Sequence, residues 1–276
     1  MIESMTHQPS PFIQKIIEVY HNNGLVGEDR NIIKTYLSAI SKYLPSKFRL
    51  HIIVFSQSSA GKTKLIKTVL EPFAEDLIKV SRFTGPGIDR YEESFDGKIF
   101  LYEQLQGFES SNLKILLSEG ELTILVAERD ESGRIRSVEK KLEGMPVFMS
   151  TSTTAVDNEM INRVIPIGMD ETEEQSRAVI SRQAEEFSKI DLSNPMKKWS
   201  EINKYMEVYE NIRASTIFDI KIPFAKNLID NMPLPITIRR DFKRLMTLTM
   251  VVAYAKLIDP DTGEYTRPVI ELSNIK

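Results

Sequence analysis

The sequence of 276 residues contains no cysteine. Disulfide bonds and cysteine-ligated zinc sites are therefore excluded, and only three histidines are present to bind a metal. No apolar run approaches the roughly eighteen residues that a membrane-spanning helix needs, and the N-terminus lacks the charged-then-apolar pattern of a signal peptide. We therefore expect a cytoplasmic protein with no membrane association and no structural metal.

The sequence also lacks a strong excess of either charge. Its net charge is −3, which excludes a uniformly basic surface, so any contact with nucleic acid has to be local. Hydrophobic residues make up 41% of the chain and charged residues 27%, as in ordinary globular proteins. The length allows one large α/β domain, or a core domain with a small lid.

Helical and extended patterns alternate along most of the chain. The segments with strand patterns, besides the apolar run that starts at residue 49, are 76–82, 98–102, 147–150 and 164–168. The segments with helical spacing are 11–22, 28–43, 64–71, 112–117, 171–188, 196–213, 222–231 and 239–257. Strands separated by helices favour a parallel sheet. We predict an N-terminal helical segment (1–48), an α/β core (49–170) and a helical lid (171–276).

The apolar run from residue 49 leads into a polar loop and then into a helical pattern. The loop consists of Ser56, Gln57, Ser58, Ser59, Ala60, Gly61, Lys62 and Thr63. A loop that feeds a helix N-terminus presents several backbone N–H groups to an anion. Here Lys62 would reach the outer phosphates of a nucleotide and Thr63 would ligate Mg²⁺. The order predicts a phosphate-binding loop (P-loop); the alternative is a polar turn and a lysine-rich helix without a ligand.

The P-loop pattern is relaxed at one position. The full pattern has a glycine five residues before Gly61, where this chain has Ser56. Gly61 still allows the backbone to approach a phosphate closely. We expect the geometry of the loop to persist, with an effect on affinity at most.

Glu103 and Gln104 directly follow the apolar residues 98–102. P-loop hydrolases place an acidic residue at the end of a nearby strand to hold Mg²⁺ and polarise the attacking water. Glu103 is the candidate for this role, and a surface glutamate at a strand end is the alternative. The amide of Gln104 cannot act as a general base, so either Glu103 does both jobs or hydrolysis is slow.

Further polar and basic residues follow later strands. The hydroxyls of Thr151 and Ser152 can position the lytic water, or they can cap a turn. Arg163 can stabilise the transition state at a neighbouring subunit's nucleotide, and an ordinary surface arginine is the alternative. Arg239 and Arg240, after the strand-like residues 235–238, are the lid's candidates for contact with phosphate.

Two extended segments, 121–129 and 134–142, flank a turn sequence at 130–133, which predicts a β-hairpin. Its basic residues are Arg129, Arg134, Arg136, Lys140 and Lys141. Such a projection can present positive charge to the backbone of DNA. Acidic residues dilute the patch, so a hairpin that only faces solvent is the alternative.

The series of motifs resembles an AAA+ ATPase of the class with a β-hairpin before sensor 1. This class includes superfamily 3 viral helicases and minichromosome maintenance helicases, and the similarity is greatest to the helicase-like ATPase domain found with zinc-finger primases of phages, plasmids and mobile elements. The matching stretches are 24–28, 36–39, 58–63, 117–123, 150–154, 162–163, 170–177 and 239–242.

The resemblance implies Mg²⁺-dependent ATP hydrolysis at the subunit interfaces of a ring, often hexameric, with the hairpins facing a central channel. It also implies that Arg163 is the arginine finger, that Thr151 or Ser152 is sensor 1, and that Arg239 or Arg240 is sensor 2. The zinc-finger primase part is absent, so the chain is not expected to make primers by itself. The expected partners are DNA, single-stranded or forked, and a primase or initiator protein.

Three functions follow as hypotheses. The first is a DNA helicase-like motor in the replication of a virus, plasmid or mobile element. The second is an ATP-switched initiator or helicase loader on duplex DNA, which the pair Glu103 and Gln104 favours slightly. The third is a scaffold that binds ATP without hydrolysing it.

Overall fold

The computed structural model describes residues 10–81, 91, 93–103, 105, 111–129, 133–188, 199–214, 222–229, 232, 233, 235 and 238–265. Its strands are β1 (Ile52–Phe55), β2 (Leu77–Val80), β3 (Ile99–Tyr102), β4 (Glu121–Arg129), β5 (Ile135–Glu143), β6 (Val147–Ser152) and β7 (Ile165–Gly168). Five of them form a parallel sheet in the order β2-β3-β6-β1-β7, which confirms the predicted sheet. Strands β4 and β5 form the predicted antiparallel hairpin.

The helices lie close to the predicted segments, except for α5, which was not predicted. They are α1 (Pro11–Asn22), α2 (Asp29–Ile40), α3 (Lys62–Leu70), α4 (Ser111–Glu119), α5 (Asn158–Ile161), α6 (Glu173–Ser188), α7 (Ser200–Ala214), α8 (Ala225–Ile229) and α9 (Ile238–Ala255). Within the described ranges, no helix combines the length and apolarity needed to cross a membrane.

Side chains alternate between the two faces of the sheet, and each face has its own apolar cluster. In β1, Ile52 and Val54 belong to one cluster and Ile53 to the other. Helices α1, α2, α3, α7 and α9 contribute to the first cluster, and α4, α5 and the base of the hairpin contribute to the second. The sheet is therefore buried on both faces, as expected for parallel strands.

Helix α7 is attached firmly to the rest of the chain. The ring of its Tyr209 stacks on Tyr254 of α9 with centroids 5.1 Å apart. Near its C-terminal end, Glu210 pairs with the buried Lys42 at 3.2 Å, and Arg213 pairs with Asp96 at 2.9 Å. One apolar cluster contains residues from the N-terminal helices, from the sheet and from α7 and α9. The predicted division of the chain into three parts, after residues 48 and 170, stays a prediction.

Three differences between the predicted and observed element bounds concern residues with a predicted site role or next to one. Helix α3 begins at Lys62 rather than at residue 64, so the P-loop lysine lies in its first turn. Strand β6 continues to Ser152 because Thr151 and Ser152 still pair with β1, opposite Val54 and Phe55. Ile238, predicted in a strand-like segment, begins helix α9, while residues 236 and 237 lie outside the described residues.

Candidate nucleotide site

The predicted P-loop connects β1 to α3 at the carboxyl edge of the sheet. Gly61 has a φ of +88° and Ser59 a φ of +70°, both in the left-handed region. Alternation of left- and right-handed residues turns successive backbone N–H groups toward one concavity, which suits an anion. The loop therefore contains the left-handed positions that such an anion-binding backbone uses.

The side chain of Lys62 folds back across this concavity. Its Nζ donates to the carbonyl of Ser56 at 2.7 Å and to the carbonyl of Gln57. Burial is the main effect on its pKa, which is lowered, and the nearby Glu171 opposes the shift. The ammonium is thus held over the loop by neutral acceptors, where the phosphates of a nucleotide would replace them.

Glu171, which has no predicted site role, contacts the same loop. Its Oε1 accepts hydrogen bonds from the Ser56 hydroxyl at 2.7 Å and from the Gln57 N–H at 3.0 Å. These two hydrogen bonds lower the pKa of Glu171. The only sequence signal was its position in the stretch 170–177, which carries part of the family resemblance.

A cavity of about 580 Å³ opens beside the P-loop. Its walls are the P-loop, the connection between α1 and α2, and one side of α6. The amide of Gln175 joins two of these walls by donating to the carbonyl of Val26 at 2.7 Å. This volume lies in the range of small-molecule sites, so a base and ribose can lie beside the phosphate loop.

Glu103 lies at the end of β3, as predicted, with its carboxylate fully engaged. Oε1 pairs with Lys67 of α3 at 2.8 Å and with Lys79 of β2 at 3.1 Å. Oε2 accepts a hydrogen bond from Ser81 at 2.7 Å. These contacts, that of Lys67 first, lower the pKa of Glu103 to about 2. Gln104, the other half of the predicted pair, lies outside the described residues.

Thr151 and Ser152 lie next to the P-loop strand, in register with Val54 and Phe55. The hydroxyl of Thr151 donates to the carbonyl of Glu103, and that of Ser152 donates to the carbonyl of Thr154 at 2.7 Å. Both residues are buried. The structure therefore places Thr151 and Ser152 at the carboxyl edge of the sheet, where their hydroxyls bind backbone carbonyls, and their role as sensor 1 stays a prediction.

The predicted arginines lie at the opposite edge of the sheet. Arg163 and Arg240 line a cavity of about 410 Å³ together with Arg49 and His51. Arg49 and His51 lie directly before β1, whereas the P-loop lies directly after β1, so the cavity and the P-loop are at opposite ends of this strand. Its further basic lining residues are Lys47, Lys243 and Arg244. We call this surface the basic pocket. Arg239 is exposed and is not among the lining residues.

Two residues of the basic pocket also connect its walls. Arg163 donates from Nε to Ser118 at 2.7 Å and from Nη1 to the carbonyl of Glu159 at 2.6 Å, which ties α4 to α5. Burial lowers the pKa of His51 to about 3, so its ring is neutral and accepts a hydrogen bond from the Phe148 N–H at 3.1 Å. His51 therefore adds no positive charge to the pocket, whereas Arg163, whose acceptors here are hydroxyl and carbonyl oxygens, keeps its charge.

The hairpin distributes its basic residues unevenly. Lys141, near the base, pairs with Glu143 at 2.8 Å and with Glu121 at 3.4 Å. Arg134 and Arg136 are exposed near the turn, and Lys140 is half-buried. Leu125 and Ile135 are also exposed, at 76% and 69%. Arg129 ends β4, and the turn residues 130–132 lie outside the described residues.

The donor set at the P-loop fits magnesium bound together with a nucleotide. Among the described residues, no group of three or more histidine or acidic side chains could hold a metal alone. Mg²⁺ commonly takes one or two protein ligands and completes its shell with phosphate oxygens and water. Thr63, at the start of α3, and Glu103 are the residues that would hold it.

Comparison with known proteins gives one family match. A family model described as the MTBMA_p00010 P-loop domain matches residues 5–213. No protein of curated function matches the chain.

Solved structures similar to the chain include an MCM homolog, a helicase and a RuvB. The full-length MCM homolog from Methanopyrus kandleri is 13% identical, with 91% of this chain and 57% of that chain covered and a TM-score of 0.44. The SCCmec type IV Cch active helicase is 12% identical, with coverages of 95% and 48% and a TM-score of 0.46. A RuvB variant from Thermotoga maritima is 13% identical, with coverages of 88% and 75% and a TM-score of 0.39. The chain spans about half the length of the first two proteins.

Proposed function

The chain belongs to the MTBMA_p00010 P-loop domain family and has an α/β P-loop NTPase fold, and on this basis we propose that it is an ATP-hydrolysing, helicase-like motor on DNA. The observation that carries the proposal is the P-loop itself. Its lysine is held by two backbone carbonyls of the loop, beside a cavity of about 580 Å³.

In the proposed site, ATP lies with its phosphates on residues 58–63 and its base toward the connection between α1 and α2. Lys62 would bind the outer phosphates, and Thr63 with Glu103 would hold Mg²⁺. A bound Mg²⁺ would supply positive charge to offset the charge that develops on the phosphates during hydrolysis. Thr151 and Ser152 shape the adjoining strand end, which limits where the attacking water can lie.

The basic pocket supports hydrolysis at a subunit interface. Arg163 and Arg240 lie at the edge of the sheet opposite to their own P-loop, so their phosphate contact would be with a neighbouring copy. A head-to-tail contact of this kind forms a closed ring when the rotation between copies closes. We propose a homo-oligomeric ring, hexameric by resemblance, in which Arg163 is the finger and Arg240, rather than Arg239, is the second phosphate-binding arginine.

The hairpin is the proposed DNA contact. Arg134 and Arg136 near the turn, with Arg129 and Lys140, would bind the phosphate backbone, while Lys141 is already paired with two glutamates. Replacing Arg134 and Arg136 with alanine should weaken DNA binding and reduce its dependence on log salt by roughly one for each phosphate that the hairpin no longer binds. Fluorescence anisotropy over a salt series measures this slope. An unchanged slope would mean that the hairpin only faces solvent.

A replication initiator or helicase loader is the second candidate function. The three contacts on Glu103 favour it, because an acid paired with two lysines is poorly placed to support fast turnover. Under either function we propose a role in replication of a virus, plasmid or mobile element, with a primase or initiator as partner. An ATP-binding scaffold would share the P-loop and release almost no phosphate.

Phosphate release with different DNAs distinguishes these functions. For a motor, we expect single-stranded or forked DNA to accelerate release and a forked duplex to be unwound. A loader should respond to duplex DNA and show little unwinding. Oligomer size measured in the same samples identifies a scaffold, which should assemble with ATP and give no release. A chain that binds no nucleotide in any of these samples would contradict all three functions.

A further inference from the structure

Three donors from two elements converge on one carboxylate, that of Glu103. Lys67 and Lys79 both reach Oε1, at 2.8 Å and 3.1 Å, and Ser81 donates to Oε2 at 2.7 Å. Within the described residues, no other ion pair is formed by either lysine. Both lysine side chains are about half exposed, at 46% and 47%, so neither is part of the apolar core. Their defined contact is Glu103.

Helix geometry relates this contact to the magnesium position. Lys67 is four residues after Thr63 on α3, so the two side chains lie on one face of the helix, about 6 Å apart along its axis. Lys67, which binds the Glu103 carboxylate, therefore lies on the same face of α3 as the hydroxyl proposed to ligate Mg²⁺. The contact pairs Glu103, the other proposed magnesium ligand, with two cations.

We propose that Lys67 and Lys79 are positioning residues that keep Glu103 paired, so that Mg²⁺ must compete with two ammonium groups to bind this carboxylate. This inference rests on the proposed ATP and Mg²⁺ site. A carboxylate oxygen shared with two lysines offers a metal ion fewer free lone pairs, and the lysines also repel a second cation. The pairing lowers the affinity for Mg²⁺ and slows hydrolysis in the resting protein.

The test measures metal affinity rather than turnover. Binding of a fluorescent, non-hydrolysable ATP analogue is measured over a series of Mg²⁺ concentrations. The Mg²⁺ concentration that gives half of the maximal binding is recorded and is called the half-point. For the double variant Lys67→Met and Lys79→Met, we expect this concentration to fall roughly two- to thirtyfold, the range that corresponds to two surface ion pairs. Phosphate release should rise in parallel. An unchanged or higher half-point would overturn the proposal.

Two comparisons separate pairing from general charge effects. Arginine at both positions keeps two cations on Glu103 and should keep the wild-type half-point. Lys34→Met, at an exposed position of α2, removes one lysine charge elsewhere and should also leave it unchanged. Loss of the wild-type value in either variant would count against pairing with Glu103 as the cause.

A double-mutant cycle identifies Glu103 as the group through which the lysines act. In a Glu103→Gln background, removal of both lysines should give little further change in the Mg²⁺ half-point. An equal gain in that background would mean that the lysines only repel the metal, and the proposal would fail. If the wild-type chain bound no ATP analogue at any Mg²⁺ concentration, the proposed function itself would fail, which is a different outcome from an unchanged half-point.

Discussion

Replacement of Lys62 with alanine is expected to weaken ATP binding by about thirtyfold or more and to abolish measurable hydrolysis. The reason is the loss of a largely buried cation from the site of the outer phosphates, which typically costs about 2–5 kcal/mol. Isothermal titration with ATP and Mg²⁺, together with phosphate release, measures both effects. Among the described residues, the Lys62 ammonium donates to the carbonyls of Ser56 and Gln57, which water can reach after the substitution.

The control for this variant is Lys34→Ala, which removes an exposed lysine charge from α2 and should leave ATP affinity unchanged. Thermal unfolding of both variants should stay close to that of the wild type. If the Lys62 variant bound ATP as tightly as the wild type, the P-loop would not be the nucleotide site, and the proposed function would be wrong at its first step.

Replacement of Arg163 with alanine is expected to reduce hydrolysis on the order of a thousandfold while nucleotide binding stays nearly intact. The arginine lies at the edge of the sheet opposite to its own P-loop, so it can affect only a neighbour's ATP directly. Phosphate release and nucleotide titration on the same sample separate the two effects. A parallel loss of binding would place Arg163 in the binding site of its own chain.

Mixed oligomers make this prediction stricter. When the Arg163→Ala and Lys62→Ala variants are mixed equally, about a quarter of the interfaces combine an intact P-loop with an intact arginine, so about a quarter of wild-type activity should return. Activity no greater than the sum of the separate variants would contradict a finger in trans. Because Arg163 also joins α4 to α5, Arg163→Lys is the variant to use if the alanine variant unfolds early.

The parts of the site that are contiguous in the chain were predictable. Residues 56–63 carry the loop, the lysine and the threonine in one stretch, and the strand before them and the helix after them have clear periodicities. The hairpin was equally readable, since two extended segments flank a turn rich in polar residues and glycine. Local patterns of this kind depend on neighbours in sequence, and those are visible without a structure.

The contacts between distant segments were not predictable from such patterns. Nothing in the residues around Glu103 indicated that Lys67 and Lys79 would bind its carboxylate, or that Glu171 would bind the start of the P-loop. The sequence likewise suggested a lid with its own arginines, whereas Arg240 lines the same pocket as Arg163. Which surfaces meet depends on how helices pack across the sheet.

The amino-acid sequence alone determined that this protein has an α/β core with a P-loop and a projecting hairpin, because each of these features is encoded in consecutive residues. Only the tertiary structure decided what surrounds them. The parallel strand order brings the ends of β2 and β3 to the side of α3, so two lysines reach Glu103. Helix α9 packs against α2 and contacts α5, and this position places its arginines in the basic pocket, away from the P-loop of the same chain. Contacts between the ridges and grooves of packed helices determine such a position, and local periodicity does not reveal it.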